Sequence, residues 1–378
     1  MKKIKKDKIN LVLGVVIISF FLGLIGGGLA YIYFNSWGGS NLLDSNQEVN
    51  LNSPEYNNTS LIIQDPKKVY ISQDLKIEES LNYFSEAVIG VFPVVKEGEQ
   101  SYKNNYVIGE EDFSGLIISN DGWVVVNVLE SNNFDKNILK NKDSYVIVSK
   151  KAKKIYNIEE VVDFSTRGLL FLKIKDVNNL PARSFVNVAD LRSGQTILAY
   201  NFSGEIIVET INSITSGDNL KLSNNYQNHI TLNNDLPESF KNGYLFNLSG
   251  DLLALIDADL KIRPIHDFRS NIYGFLKNKE ISDIKFGLYY LDLKNIVSGQ
   301  LPVSGALVYN NGLSPFIKGQ IAESSGLQIG DIITKINNYE ISEQANFNDV
   351  LNNFVPGDKI SLIIIRNGET VELKIELK

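Results

Sequence analysis

Gly115-Leu116-Ile117-Ile118-Ser119-Asn120-Asp121-Gly122-Trp123-Val124-Val125-Val126-Asn127-Val128-Leu129 sets the fold class of this 378-residue chain. Two apolar, β-branched runs flank the turn-forming trio Asn120-Asp121-Gly122, the pattern of a β-hairpin. Short runs of the same kind recur at Tyr145–Ser149, Leu169–Ile174, Thr196–Tyr200, Ile206–Ile214 and Leu252–Ile256, with turn residues between them. Upstream, Ala87–Phe92 reads as the end of an opening helix and a first strand. Many short strands joined by tight turns predict an all-β barrel or sandwich. Periodicity takes the reading no further.

Four segments, in order along the chain, make it more specific. Gly115–Asn127 resembles the hairpin of HtrA/Deg serine proteases that runs into the catalytic histidine. Asp163 through Leu169-Leu170-Phe171-Leu172-Lys173-Ile174 resembles the family segment that carries the catalytic aspartate just before a strand. Leu191–Ala199 is similar to the turn and strand that follow, and Leu245–Leu255 to the strand pair after the nucleophile. The resemblance implies a chymotrypsin-like double β-barrel over residues 75–280.

The same resemblance locates the catalytic positions, and none holds its residue. The histidine position falls on Leu129, the aspartate position on Gly168, and the nucleophile position on Lys241. Acyl transfer needs a hydroxyl, an imidazole to take its proton, a carboxylate to hold the imidazole, and an oxyanion hole. Ser239 lies two residues from the nucleophile position, and a Ser239–Lys241 dyad is the alternative that would keep chemistry. His229, before a strand at Ile230, reads as a strand-end residue, and His266 beside Pro264 as a surface-loop residue. Bulky Phe240 and Lys241, in place of the family's glycines, restrict the backbone conformations that an oxyanion hole uses.

The C-terminal part carries a second pattern. Ile321-Ala322-Glu323-Ser324-Ser325-Gly326-Leu327-Gln328-Ile329-Gly330-Asp331-Ile332-Ile333-Thr334-Lys335-Ile336-Asn337 is similar to the PDZ signature of HtrA proteins. Gly326 fits a helix C-cap. Phe347, Val350, Leu351 and Phe354 recur at helical spacing, and Asn367-Gly368 between alternating runs predicts a type I′ hairpin. The resemblance implies a PDZ domain of α+β type over residues 283–378. It also implies a carboxylate-binding loop at Lys285-Phe286-Gly287-Leu288 and a peptide-accepting strand from Tyr289 and Tyr290. Phe347, Val350 and Leu351 would then shape the groove, the plainer reading being that they are core.

Bulk composition narrows the remaining choices. The chain has no cysteine and two histidines, so disulfides, thiolate sites and multi-histidine metal centres are excluded, and no cofactor is expected. Residues 1–8 hold five lysines and one aspartate, a net of +4, which leaves −11 of the total −7 for the rest. An acidic body argues against nucleic acid as partner. Residues 11–34 are apolar and uncharged, long enough to cross a ~30 Å hydrocarbon core. The lysines before them place the tail, residues 1–10, in the cytoplasm. A transmembrane helix over 11–34, retained rather than cleaved as a signal peptide, and a flexible linker over 35–74 are therefore expected. The bulk of the chain would be extracytoplasmic, anchored in the lipid bilayer.

Together these features predict a membrane-anchored HtrA-like pseudoprotease that binds C-terminal or unfolded peptide segments of extracytoplasmic proteins, in quality control, sensing or as an adaptor. An active endopeptidase with a rearranged site and an oligomeric scaffold are the alternatives. Family relatives are usually trimers, so the resemblance also implies a homotrimer.

Overall fold

The computed structural model describes residues 19, 23, 73–95, 105–128, 137–215, 217–223, 229–297, 299, 302, 304–310, 312 and 314–378. The expected transmembrane helix over 11–34 and the linker over 35–74 lie almost wholly outside these residues. Among the described residues no helix is long and apolar enough to cross a membrane. Tyr70–Lys378 form one compact unit.

The unit opens with α1 (Gln73–Phe84), where Ile77, Leu81 and Phe84 at i, i+4 and i+7 make one apolar face. Six antiparallel strands follow: β1 (Val88–Pro93), β2 (Phe113–Ile117), β3 (Trp123–Asn127), β4 (Tyr145–Ser149), β5 (Lys154–Phe164) and β6 (Leu169–Ile174). They close into a barrel in the order β1-β2-β3-β6-β5-β4. Every residue of β2 and β3 is buried. Both faces therefore need apolar or small side chains, which is why these strands read as continuous runs. The short helix α2 (Asn137–Lys140) sits before β4. At 11 residues β5 is the longest strand of this barrel and its most exposed, and its register shifts between Ile158 and Glu160. Its lysine, two glutamates and aspartate hid it from a reading based on apolar runs.

A second sheet is built from β7 (Thr196–Tyr200), β8 (Ile206–Thr215), β10 (His229–Leu232), β11 (Tyr244–Asn247), β12 (Leu252–Ile256) and β13 (Ile262–Pro264), with the three-residue strand β9 (Leu220–Leu222) between β8 and β10 in the chain. Its order is β10-β8-β7-β11-β12-β13, and the edge strands β10 and β13 lie in contact. The two barrels share a core. Phe84 stacks on Phe246 at 4.1 Å and meets Tyr200 edge-on at 5.1 Å. Full burial of one such ring contributes about 2–3 kcal/mol.

Helix α3 (His266–Asn278) then returns to the first barrel. Phe268, Ile272 and Phe275 form its buried face, and Phe275 stacks on Phe171 at 4.4 Å and meets Trp123 at 4.7 Å. The last sheet holds β14 (Tyr289–Asp292), β15 (Ala306–Val308), β16 (Ile332–Ile336), β17 (Tyr339–Glu340), β18 (Lys359–Arg366) and β19 (Glu369–Glu376), with helices α4 (Ile321–Ser324) and α5 (Phe347–Leu351). The β18–β19 hairpin turns at Asn367 and Gly368, φ 51° and 84°, the two left-handed residues of a type I′ turn. Asn346 caps α5 in a capping box with Asp349. The strand order is β19-β18-β16-β15-β14-β9. The outermost strand is thus borrowed from the middle of the chain.

Candidate catalytic cleft and peptide groove

The barrels meet where the catalytic positions were expected. Ser114 Oγ donates to the carbonyl of Asn242 at 2.6 Å, and Asn127 Nδ2 to the carbonyl of Ile256 at 2.7 Å. Asn127 is in register with Leu169, and the Val128 amide donates to Gly168 O at 2.8 Å. The fold therefore brings the end of β3 beside the start of β6, as a base and its carboxylate partner require. Leu129 itself lies outside the described residues. Gly168, at φ 76°, caps a single 3-10 turn and has no side chain to offer.

At the expected nucleophile position Lys241 is exposed and pairs with Glu238, not with Ser239. Ser239 is exposed, its carbonyl held by Asn201 Nδ2 at 2.8 Å. The loop amides are turned inward. Phe240 N donates to Pro237 O, Lys241 N to Glu238 O and Gly243 N to Phe240 O, at 3.0, 3.1 and 3.0 Å. A methyl group at Gly243 would come within 2.9 Å of Phe240 O and 3.0 Å of Tyr200 O. The turn is thus held by close backbone contact. Beside it Tyr244 is fully buried, and burial pushes its phenol well up, eased slightly by Ser114.

The histidines do not complete this cleft. His229 is exposed at the start of β10. His266 corrects the surface-loop expectation: it is buried at the start of α3, with Nε2 3.2 Å from Asp267 and 3.4 Å from Asp349. Burial pulls its pKa down, but Asp267 and Asp349 outweigh that and raise it. A hollow of about 820 Å³ opens between β10 and β13, lined by His229, Asn234, Lys261, Arg263 and Asp267 among others; neither Gly168 nor Lys241 lines it. Among the described residues no group of acids and histidines is placed to hold a metal.

The second site is built by backbone. The loop Lys285–Leu288 turns at Gly287, φ 75°, where an added Cβ would meet the Gln320 side chain at 2.4–2.6 Å. Beyond the loop, β14 pairs with β9 in antiparallel register: Tyr289 with Leu222, Tyr290 with Lys221, Leu291 with Leu220. The pairing runs past both ends of β9. Asp292 N donates to Asn219 O at 2.9 Å, Ser223 N to Leu288 O at 2.9 Å, and Leu288 N to Ser223 Oγ at 2.9 Å. From the helix side, Asn348 Nδ2 donates to Leu222 O at 3.1 Å. An extended segment of five residues therefore lies between β14 and α5, its far end held at the glycine loop.

Of the expected peptide-binding residues, Phe286, Leu288, Tyr290, Phe347, Val350 and Leu351 are buried together, with Phe286 and Tyr290 5.2 and 5.4 Å from the Phe347 ring. They form the core beneath the groove. Lys285 and Tyr289 are exposed, the former at the loop and the latter on the outer face of β14. Lys221, Ser223, Asp292, Asn348 and Asp349 were missed. Leu220–Leu222 is too short for any period to show, and its partner lies some 70 residues away in sequence.

Residues 297–377 match the PDZ domain family. Serine protease HTR4 of Bos taurus is 23% identical over 328 residues, 79% of this chain and 64% of that protein. Serine endoprotease DegS of Haemophilus influenzae is 21% identical over 341 residues, 86% of this chain and 92% of that one. The chain is a homologue of the HtrA/Deg serine proteases. The periplasmic serine endoprotease DegP of Salmonella typhimurium is 24% identical over 231 residues, 56% of this homologue but 46% of DegP. The homologue thus spans less than two thirds of HTR4 and of DegP, and most of DegS. Among solved structures, the HtrA-type protease AlgW with tripeptide covers 80% of the chain at 18% identity, with a TM-score of 0.46.

Proposed function

We propose that this chain is a membrane-anchored, extracytoplasmic HtrA-like pseudoprotease that captures protein C-termini or unfolded peptide segments in its PDZ groove. The observation that carries the reading is the pairing of residues 219–223 with β14. That edge already accepts an extended segment in the antiparallel register of an added strand, the mode by which PDZ domains take peptides.

Loss of hydrolysis is supported by chemistry. Gly168 and Lys241 supply neither carboxylate nor hydroxyl, and the amides of residues 240, 241 and 243 are spent within their own turn. His266 is directed to carboxylates, and His229 is exposed at the start of β10. A hydroxyl without a base is a weak nucleophile. The anchor is supported by the uncharged run 11–34 behind five lysines, and the compartment by the name of DegP, which is called periplasmic.

The test uses the full chain purified in detergent. No label from a fluorophosphonate probe and no turnover of unfolded casein are expected, together with saturable binding of free-carboxyl peptides. Labelling that disappears in Ser239→Ala would make the chain an active endopeptidase. Absence of all peptide binding would leave a scaffold.

A further inference from the structure

The segment seated in the groove carries information about what else fits there. Paired residues of an antiparallel ladder share a face, as do alternate residues of a strand. Lys221 is therefore on the face of Tyr290 and Asp292, toward α5, with Ser223 two places on. Leu220 and Leu222 share the outer face with Leu291 and Tyr289. Ser223 is fully buried, and Leu288 N donates to its hydroxyl at 2.9 Å, where the end of a ligand would sit.

Under Lys221 the groove is acidic. Asp292 is 1% exposed, its Oδ2 has no hydrogen-bond partner, and the Lys294 ammonium is 3.9 Å away. Asp349, 4% exposed in its side chain, closes the same end of α5 and pairs with His266. Asp218 lies near, and Asp267 neutralises His266 from its other side. Burial lowers the pKa of Lys221, while Asp292, Asp349 and Asp218 oppose that and Lys294 adds to it. Burial pushes Asp292 up, and Lys294 and Lys221 offset only part of that. A buried carboxylate needs a counter-charge, and Lys294 at 3.9 Å is a weak one. Lys221, on the same face of the ladder, adds a second favourable charge. A ligand that takes this place without a cation would leave Asp292 with Lys294 alone as its counter-charge.

We propose that the groove selects an extended peptide with lysine or arginine two positions before its loop-anchored terminal residue, and that residues 219–223 occupy the groove as an internal competitor for that peptide. The proposal rests on the peptide-capture reading above and names its ligand class. The groove opens when the internal strand leaves, so apparent affinity is the intrinsic affinity reduced by the fraction of molecules with the strand released.

The test compares full-length wild type and Lys221→Glu, using fluorescein-labelled Asn-Leu-Lys-Leu-Ser and Asn-Leu-Glu-Leu-Ser with free carboxyl ends. Lys221→Glu should bind the lysine peptide at least about tenfold tighter than wild type does, and the glutamate peptide at least about tenfold more weakly than the lysine one. Equal binding of both peptides overturns the acidic subsite and leaves peptide capture standing. Equal affinity of wild type and variant for the lysine peptide overturns the internal competitor. If neither protein binds any peptide, the capture reading fails and this one with it. Hydrogen exchange on wild type needs no variant: excess lysine peptide should deprotect the amides of residues 220–223, and unchanged protection despite bound peptide contradicts displacement.

Discussion

The cleft between the barrels and the groove beside β14 treat their backbone amides in opposite ways. In the cleft the N–H groups of Phe240, Lys241 and Gly243 bond back into one turn. In the groove the N–H groups of Leu288 and Asp292 reach out to another segment of chain. Acyl transfer depends on a few named side chains at fixed places, and the described positions that the resemblance assigns hold a glycine and a lysine. Strand addition depends on backbone, which survives exchange of almost any side chain. Under the function proposed here, a scaffold of this kind would lose its chemistry and keep its capacity to bind.

If backbone geometry carries both sites, substitutions that disturb it should cost most. Gly243→Val meets two backbone oxygens that cannot move aside; a loss of about 2–4 kcal/mol is expected in urea unfolding monitored by tryptophan fluorescence. Gly287→Ala strikes the groove, where the flexible Gln320 side chain can give but φ stays at 75°. About 1–2 kcal/mol is expected, with peptide binding reduced further than stability. Asn346→Ala removes the cap of α5, for about 1 kcal/mol, without touching the cleft.

Two smaller effects sharpen the contrast. His266 has a folded pKa above its ordinary value, so its contribution is full below about pH 6 and is lost as pH rises through the raised pKa. The stability gap between wild type and His266→Gln should therefore narrow on going alkaline; a gap that widens would reverse the assignment. Lys241→Ser should change least, within about 0.5 kcal/mol, because the lysine makes only a surface pair with Glu238. It should also gain no fluorophosphonate label. A label would show that a base is present after all.

Legibility followed burial and chain separation. Strands buried on both faces, such as Trp123–Asn127 and Leu169–Ile174, announce themselves as apolar runs. The exposed β5 did not, because its solvent face is written in glutamate and lysine. Phe347, Val350 and Leu351 were legible as a helix face, yet their spacing is the same whether they line a groove or fill a core. Their full burial beside Phe286 and Tyr290 decides for the core.

His266 shows the limit most clearly. Its neighbours in sequence, Pro264 and Arg263, suggest a surface turn, whereas its neighbour in space is Asp349, 83 positions further on. The sequence alone settled the inventory: the order of barrels and C-terminal sheet and the absence of thiols. Only the folded chain decided that three residues between β8 and β10 complete the last sheet, and that a lysine among them shares a face with a buried aspartate. Local patterns arise from short-range periodicity, while a non-local strand pairing is chosen by the whole packed core and leaves no period to read.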